Sequence, residues 1–179
     1  MGLGIRERIK LGASGKIITA FDMARTMAMG ANWCNSARGF MFAVGCIQAQ
    51  SCHTDRCPTG VSSQDPYRQS ALFVDDKAER VFRFHESTLH ALAEVIAAAG
   101  LDHPNQIRPH HLWRRVAANH IENFAQIYRP LAPGALLAGT DDPRFSTAWA
   151  LARAESFAPA VDGYQVAPAN VIREEAISA

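Results

Sequence analysis

The stretch IKLGASGKIITAFDMARTMAMGANWCNSARGFMFAVGCIQ, residues 9–48, contains the same order of elements twice in succession. Each copy begins with a short predicted strand, at 9–11 and 32–34, and continues into a loop that carries glycine. Each copy then ends in a helical pattern, at 19–29 and 40–48. Repeated units of strand, loop and helix are typical of a parallel sheet covered by helices. The sequence therefore predicts an α/β fold.

Beyond this stretch the chain is predicted to be mainly helical. An amphipathic pattern over 75–99 predicts one long helix that begins at Asp75 and Asp76 and stops at Gly100. Its apolar stripe is expected to face the core and consists of Ala78, Val81, Phe82, Leu89, Leu92, Ala93 and Ile96. Shorter helices are predicted from Pro109 to 113, over 119–128 and over 147–154. The last twenty residues are predicted to be a loosely ordered tail.

The composition excludes several classes of protein. Of the 179 residues, 48% are hydrophobic and 20% are charged, which is typical of a folded globular chain. The formal net charge of +1 provides no basic surface for nucleic acid or for an anionic membrane. No apolar run approaches the roughly 20 residues that span a bilayer, and residues 1–16 lack the apolar core of a signal peptide. We therefore expect a cytoplasmic protein with no nucleic-acid or membrane partner.

Three of the four cysteines lie in residues 45–61, GCIQAQSCHTDRCPTGV, which we call the cysteine segment. Five residues separate Cys46 from Cys52, and four separate Cys52 from Cys57. In a chain without a secretory signal, such crowding favours metal or redox chemistry over disulfides. Soft thiolates select zinc or iron–sulfur clusters, and a proline directly after the last cysteine is familiar from iron–sulfur proteins. The pattern favours a cluster.

Two other interpretations of the cysteine segment stay open. Structural zinc prefers four ligands at short spacings, and His53, directly beside Cys52, is badly placed to complete a set with the three thiols. A cluster with three irons needs only three protein thiolates. Free cysteines also pack well as small buried hydrophobic side chains. The fourth cysteine, Cys34, lies outside this spacing and is interpreted as a buried strand residue.

At the cysteine segment the sequence resembles the glutamate synthase family, and the similarity continues more weakly to about Arg115. The motifs that carry it are Gly45-Cys46, Cys52-His53-Thr54, Cys57-Pro58-Thr59-Gly60-Val61, Gln64-Asp65-Pro66, Ala13-Ser14-Gly15-Lys16, Phe21-Asp22-Met23-Ala24, Asn35-Ser36-Ala37-Arg38-Gly39-Phe40, Asp76-Lys77-Ala78-Glu79-Arg80-Val81 and His90-Ala91-Leu92. The similarity is closest to the smaller, stand-alone FMN-binding proteins of this type. In the family, three such cysteines bind a 3Fe-4S cluster beside an FMN in a (β/α)8 barrel. The resemblance implies that Cys46, Cys52 and Cys57 bind that cluster.

The resemblance also implies how the chain is organised. Residues 1–48 resemble the last βα units of the FMN-binding (β/α)8 TIM barrel, and residues 49–70 resemble the loop of the iron–sulfur cluster. Residues 71–130 are then expected to form a helical extension, and residues 131–179 an irregular C-terminal tail. The implied fold is the C-terminal portion of the barrel. A complete barrel takes about 250 residues, so we expect either a missing N-terminal barrel segment or self-association to complete it.

Two loops resemble the flavin-phosphate site of the family. In (β/α)8 barrels a phosphate is often held by the loops after strands seven and eight. Ser14-Gly15-Lys16 resembles the seventh loop, and Asn35-Ser36-Ala37-Arg38 resembles the eighth. These residues are expected to bind FMN through exposed backbone N–H groups, helix N-termini and the two cations. The larger glutamate synthases tend to have a second glycine where Lys16 stands here.

The reaction implied by the resemblance is reductive. Electrons pass through the cluster to FMN, and 2-oxoglutarate with the amino group of glutamine yields glutamate. The implied partners are this small-molecule substrate and an electron donor, either a protein or a reduced nicotinamide. No residue is a convincing acid, base or nucleophile. Two alternatives stay open: an FMN-dependent oxidoreductase with another substrate on the same barrel, and a non-catalytic electron-transfer remnant.

Overall fold

The computed structural model describes residues 1–158, which divide into two units. The larger unit is Glu7–Pro130, and the smaller combines Met1–Arg6 with the chain from Leu131 onward. The strands are β1 (Gly12–Ser14), β2 (Trp33–Asn35), β3 (Trp113–Ala117) and β4 (His120–Asn123). The helices are α1 (Ala20–Ala28), α2 (Ala37–Val44), α3 (Pro66–Gln69), α4 (Val74–Ala98), α5 (Phe124–Tyr128), α6 (Ala135–Ala138) and α7 (Ser146–Leu151). The tail predicted for the last twenty residues lies outside the described part of the chain.

The first two strands pair in parallel, with Gly12 opposite Trp33 and Ser14 opposite Asn35. The order β1, α1, β2, α2 confirms the predicted α/β class. Both strands begin later than predicted, and the residues just before them are joined by two hydrogen bonds. The Asn32 N–H donates to the Leu11 carbonyl at 2.7 Å, and the Leu11 N–H donates to the Asn32 side-chain oxygen at 2.9 Å, where a regular ladder would use a main-chain carbonyl. Within residues 1–158 this sheet has two strands, and no closed barrel is formed.

Local chemistry fixes the ends of α1, as the sequence predicts. The Thr19 hydroxyl accepts the Asp22 N–H at 3.2 Å, and the Asp22 carboxylate accepts the Thr19 N–H at 3.0 Å. This reciprocal pair is a capping box, which satisfies two backbone donors that have no partner within the helix. Gly30, with φ of 114°, follows the last turn. The buried face of the helix consists of Ala20, Ala24 and Ala28.

The long helix α4 confirms the predicted helix at 75–99 and supplies much of the core. Its C-terminal half packs against α1, and Leu92 and Ile96 are buried there. Its N-terminal half packs against α2 through an edge-to-face contact of Phe40 with Phe84, 5.3 Å between ring centroids. The core residues are Ala20, Ala24, Ala28, Leu92, Ile96, Ile107, Leu112 and Phe124.

The predicted apolar stripe of α4 is wrong in part. Four of its members, Ala78, Phe82, Leu89 and Ala93, are exposed, with 58% of Phe82 accessible. The helices α1 and α2 cover a neighbouring face, which carries Phe84 and Val95 instead. The periodicity of α4 therefore predicts the helix correctly but not which side of a wide apolar surface is covered.

The helical extension predicted for 71–130 contains a β-hairpin. Strands β3 and β4 pair antiparallel, where helices were predicted from Pro109 to 113 and over 119–128. Only a single 3₁₀ turn, Pro109–His111, precedes the hairpin. The helix α5 starts late because Asn123 caps it: the Asn123 side chain accepts the Gln126 N–H at 3.0 Å. Residues before this cap are free to form β4.

The smaller unit is held by main-chain hydrogen bonds between its two parts. The Gly134 N–H donates to the Met1 carbonyl at 3.2 Å, and the Leu136 N–H donates to the Gly2 carbonyl at 2.9 Å. Helix α7 is shorter than the predicted 147–154, because Arg153 leaves the helix to form a β-bridge with Ser156. Among the described helices, none combines the length and the apolar character that crossing a membrane requires.

Candidate cofactor site

The structure places the two predicted phosphate loops side by side. Each begins with the last residue of a strand, Ser14 of β1 and Asn35 of β2, and the parallel pairing of these strands puts both loops at the same edge of the sheet. The Ser14 hydroxyl donates to the Asn35 carbonyl at 3.4 Å, and the Ser36 hydroxyl donates to the Ile17 carbonyl at 2.6 Å. The carboxyl edge of a parallel sheet is where α/β folds usually bind ligands. The predicted neighbours are thus brought together.

The first loop takes left-handed backbone conformations at Gly15 and Lys16, with φ of 113° and 54°. A Cβ added at Gly15 meets no atom within 4 Å, so the surface in front of this loop is open. A lysine in the left-handed region is strained by about 1–3 kcal/mol, whereas glycine is not.

The N-termini of α1 and α2 differ in their capacity to bind an anion. The capping box of α1 occupies its first backbone donors and places a carboxylate beside them. The pKa of Asp22 lies below its usual value, mainly because its carboxylate accepts a hydrogen bond from the Thr19 backbone. The Thr19 hydroxyl, the Ile18 backbone and nearby Arg25 lower this pKa further, whereas burial acts to raise it. That end of α1 is therefore already occupied by a negative charge.

The start of α2 has no such cap. The Ser36 hydroxyl donates to the Ile17 carbonyl instead of accepting a helix N–H, and the first turn carries no acidic residue. Arg38 lies in that first turn. Unsatisfied N–H groups, the positive end of the helix dipole and a guanidinium together favour an anion. Of the two loops, the second therefore has the better chemistry for a phosphate.

The cysteine segment begins where α2 ends. Gly45, with φ of 122°, terminates the helix, and the Cys46 N–H donates to the Met41 carbonyl at 2.9 Å in a Schellman arrangement. Cys52 is exposed in the 3₁₀ turn Cys52–Thr54, and Cys57 is buried, with 8% of its surface accessible. Cys46, Cys52 and Cys57 are all free thiols.

One cavity joins the start of α2 to two of the three thiols. Its volume is about 360 Å³, and it is lined by Ala37, Arg38, Met41, Phe42, Cys46, Gln48, Gln50 and Cys52. Cys57 is not part of this lining. Across residues 1–158 no three histidine, cysteine, aspartate or glutamate side chains gather into a group that could hold a metal ion. The structure thus brings the Cys46 and Cys52 thiols to the predicted phosphate end but leaves the third thiol apart.

The Cys57 thiol is chemically suited to be a ligand. The pKa of Cys57 is lowered to about 6, and the largest cause is a hydrogen bond with the Thr59 hydroxyl at 3.5 Å. Hydrogen bonds from the Ser62 and Thr59 backbone N–H groups contribute less. These bonds outweigh the opposing effect of burial. The thiol is therefore largely a thiolate at neutral pH, the form that binds metals. The chemistry of the donors fits a cluster.

The Ser62 hydroxyl provides a second sign of fit. It is buried and has no hydrogen-bond partner of good geometry among the described residues, although its closeness to the Cys57 sulfur slightly lowers the pKa of that thiol. A buried hydroxyl without a well-formed hydrogen bond calls for an explanation. A group with acceptor atoms beside Cys57, such as the sulfides of a cluster, provides one.

Cys34 differs from the other three cysteines, as predicted. It lies in β2, half-buried, and its thiol is 4.0 Å from the Met23 carbonyl. Burial raises the pKa of this thiol, which keeps it protonated and unsuited to metal binding. Sequence reasoning did not single out Gln48 and Gln50, which line the cavity in left-handed conformations with φ of 58° and 56°. Glutamine carries no sequence signal for that conformation.

Comparison with known proteins identifies the family. The profile described as a conserved region in glutamate synthase matches residues 1–102. The glutamate synthase large subunit-like protein YerD of Bacillus subtilis is 42% identical over 121 residues, which are 68% of this chain and 23% of that relative. The large chain of the NADPH glutamate synthase of Bacillus subtilis is 35% identical over 97 residues, 54% of this chain and 6% of that protein. The archaeal NADPH glutamate synthase of Methanocaldococcus jannaschii is 30% identical over 105 residues, 59% of this chain and 21% of that protein.

The matched region therefore spans less than a quarter of the length of each of these relatives. The family profile covers more than half of this chain, and it includes both predicted phosphate loops and the whole cysteine segment. The chain belongs to the glutamate synthase family.

Proposed function

We propose that this chain is the part of an FMN- and iron–sulfur-dependent glutamate synthase that holds the flavin phosphate and the cluster. The observation that carries the proposal is the cavity of about 360 Å³, in which Ala37 and Arg38 at the open start of α2 face the same space as Cys46 and Cys52. A phosphate site and a thiol site that share one cavity suit two cofactors that exchange electrons.

For the flavin, this chain supplies the phosphate end of the site. The uncapped N–H groups at the start of α2 and the Arg38 guanidinium would bind the phosphate. The open surface in front of Gly15 and Lys16 would admit it from the side of α1. The strongly capped start of α1 would orient the first loop, but it would contribute little to binding the phosphate directly. Ser14 and Asn35 would hold the two loops together through their hydrogen bond.

For the cluster, Cys46, Cys52 and Cys57 would be the three ligands, and a bound 3Fe-4S cluster would supply one-electron transfer. The Thr59 hydroxyl and nearby backbone N–H groups would keep the Cys57 thiol deprotonated. The buried Ser62 hydroxyl would donate to a sulfide. Binding would bring Cys57 toward the cavity that Cys46 and Cys52 already line.

The finer fold is part of the same proposal. The elements β1, α1, β2 and α2 would be the last two units of a (β/α)8 barrel, and an N-terminal barrel segment would pair with the open edges of the two-stranded sheet. Relatives are named as NADPH, NADH and ferredoxin-dependent glutamate synthases. The electron donor would accordingly be a reduced nicotinamide or a small electron-carrier protein, and the product glutamate.

The test is anaerobic reconstitution of the 179-residue chain with iron and sulfide, followed by metal, sulfide and flavin assays. We expect roughly three irons per chain and an electron paramagnetic resonance signal from the oxidised cluster. We also expect FMN to bind more tightly than riboflavin, because the chain contacts the phosphate. Stoichiometric zinc without sulfide, or equal affinity for FMN and riboflavin, contradicts the corresponding half of the proposal.

A second function is favoured by one comparison. A match of similar length fills 23% of the YerD relative but only 6% of the NADPH glutamate synthase large chain, so the former is several times shorter. A protein of the shorter type has less room for a domain that releases ammonia from glutamine. The second proposal is therefore an FMN-dependent oxidoreductase of this family with another substrate. Reoxidation of the reduced flavin by 2-oxoglutarate with ammonia, in the chain supplemented with the rest of the barrel, supports the first proposal; its absence supports the second.

A further inference from the structure

Within residues 1–158, Ser63 is the single buried residue with a polar side chain if Cys57 is set aside. Only 4% of its surface is accessible. Its hydroxyl donates to the Asp55 carbonyl at 2.8 Å and lies 3.1 Å from the Asp55 Oδ1 atom. The same oxygen accepts the Asp65 N–H at 3.1 Å. One hydroxyl thus joins Asp55 to the residue that caps α3.

The Asp55 carboxylate completes this connection from the other side. Its Oδ1 atom accepts the Gln64 N–H at 2.5 Å. Asp55 ends the 3₁₀ turn Cys52–Thr54 in the left-handed region, with φ of 60°. It lies three residues after Cys52 and two before Cys57. We call this set of bonds between Asp55 and residues 63–65 the Asp55–Ser63 clamp.

The far side of the clamp is itself anchored. The Gln69 side chain in α3 donates to the Ser63 carbonyl at 2.6 Å, and the Asp65 side chain caps α3 by accepting the Tyr67 N–H at 2.9 Å. Cys46, by contrast, is positioned by the end of α2. The three thiols therefore depend on two separate supports, one helical and one made of the clamp.

We propose that Asp55 and Ser63 are positioning residues that hold Cys52 and Cys57 for cluster binding, an inference that rests on the proposed cluster. Neither side chain touches the cluster in this proposal; both act through the backbone between the two thiols. Once a cluster is bound, its ligands must be held to within a fraction of an ångström, and residues behind the ligands typically change metal affinity by about 10- to 100-fold. The same range is expected here.

The experiment uses a matched pair at Asp55. Both Asp55→Asn and Asp55→Gly tolerate the left-handed backbone, but only asparagine keeps an acceptor oxygen for the Gln64 and Ser63 donors. Ser63→Ala removes the other half of the clamp. Each full chain is reconstituted anaerobically with iron and sulfide, and the loss of iron to a chelator is timed. The electron paramagnetic resonance spectrum is recorded in parallel, and amide hydrogen exchange of Gln64 is measured before reconstitution.

We expect Asp55→Asn to retain iron like the original chain. Asp55→Gly and Ser63→Ala should lose iron about 10- to 100-fold faster, with an altered resonance spectrum and faster exchange at Gln64. Far-UV circular dichroism checks that α4 persists, and if the buried Ser63→Ala fails to fold, the exposed Asp55 pair still decides. An original chain that takes up no cluster overturns the proposed function. A cluster that forms in the original chain and is retained equally by Asp55→Gly overturns the clamp alone.

Discussion

Gly60 holds the turn after Cys57 against α3, and its replacement by alanine provides a quantitative test of the structure. Its backbone has φ of 75°, and its N–H donates to the Cys57 carbonyl at 3.2 Å. A Cβ built at this position comes within 2.8 Å of the Arg68 carbonyl carbon and closer still to its oxygen. The obstacle is backbone, so it cannot be relieved by a rotamer change.

Two energetic costs add for Gly60→Ala. A left-handed alanine costs about 1–2 kcal/mol, and an overpacked contact adds about 1–3 kcal/mol. Gly100, which follows α4, is a matched control: its φ is 73°, yet a Cβ there meets no atom within 4 Å. Gly100→Ala should therefore suffer only the first cost. Gly60→Ala is expected to be the less stable variant by about 1–3 kcal/mol.

The assay is urea unfolding followed by far-UV circular dichroism, with amide exchange of Ser63, whose N–H donates to the Gly60 carbonyl at 3.3 Å, as the local measurement. If the turn opens before the whole chain unfolds, the difference is seen in the exchange of Ser63 rather than in the urea midpoint. Equal exchange rates and equal midpoints for the Gly60 and Gly100 variants would refute the close approach of this turn to α3.

Three further predictions follow from the site. Cys52→Ser should abolish the resonance signal of the reconstituted chain while Cys34→Ser leaves it intact, and loss of the signal in both would place Cys34 among the ligands. Arg38→Ala should weaken FMN about tenfold, as expected for one charge-assisted contact of roughly 1.5 kcal/mol, with riboflavin as the phosphate-free control in titrations. Asp22→Asn should cost about 0.3–1 kcal/mol at pH 7. Because the folded pKa of Asp22 is lowered, its contribution is complete above about pH 4 and is lost as the pH falls through that pKa. Urea midpoints of the two proteins should therefore converge in acid, and a constant gap contradicts the charge effect.

The parts of the fold that local chemistry decides could be predicted from the sequence. The cap of α1 needs only Thr19 and Asp22, and both ends of that helix were predicted to within a residue. The period of α4 predicts its length, but its covered face depends on where α1 and α2 pack, which is tertiary information. The ends of β1 and β2 were missed by a few residues, since the bond between Leu11 and the Asn32 side chain has no signature in either residue alone.

The hairpin was missed for a different reason. All five residues of β3 are exposed, so the alternation of apolar and polar residues that marks a half-buried strand is absent. The signal that was available is the capping box of Asn123 and Gln126, which fixes the start of α5. Strong capping chemistry at Asn123 excludes a helix across residues 119–122.

The sequence could predict the part of the candidate site that the parallel pairing of β1 and β2 positions, but not the rest. That pairing brings Ser14 beside Asn35, as the predicted βα units imply. The path of the cysteine segment follows no helix or strand period. It turns through left-handed residues such as Gln50 and Asp55, and the residue type alone does not predict that backbone conformation. The relative positions of the three thiols therefore depend on contacts made after folding, and the sequence predicts their chemistry but not their arrangement.

The packing of α2 on α4 has a consequence for the order of assembly. Residues 45–73 connect these two helices, and both ends of the connection are held by helix contacts that need no cofactor. The entropy of closing this long connection is thus lost when α2 packs on α4. Zinc fingers, in contrast, fold only when their metal binds. For the proposed cluster, the scaffold would form first and metal insertion would be a late, separable step, so a cell could store the folded apoprotein and activate it when iron and sulfide become available.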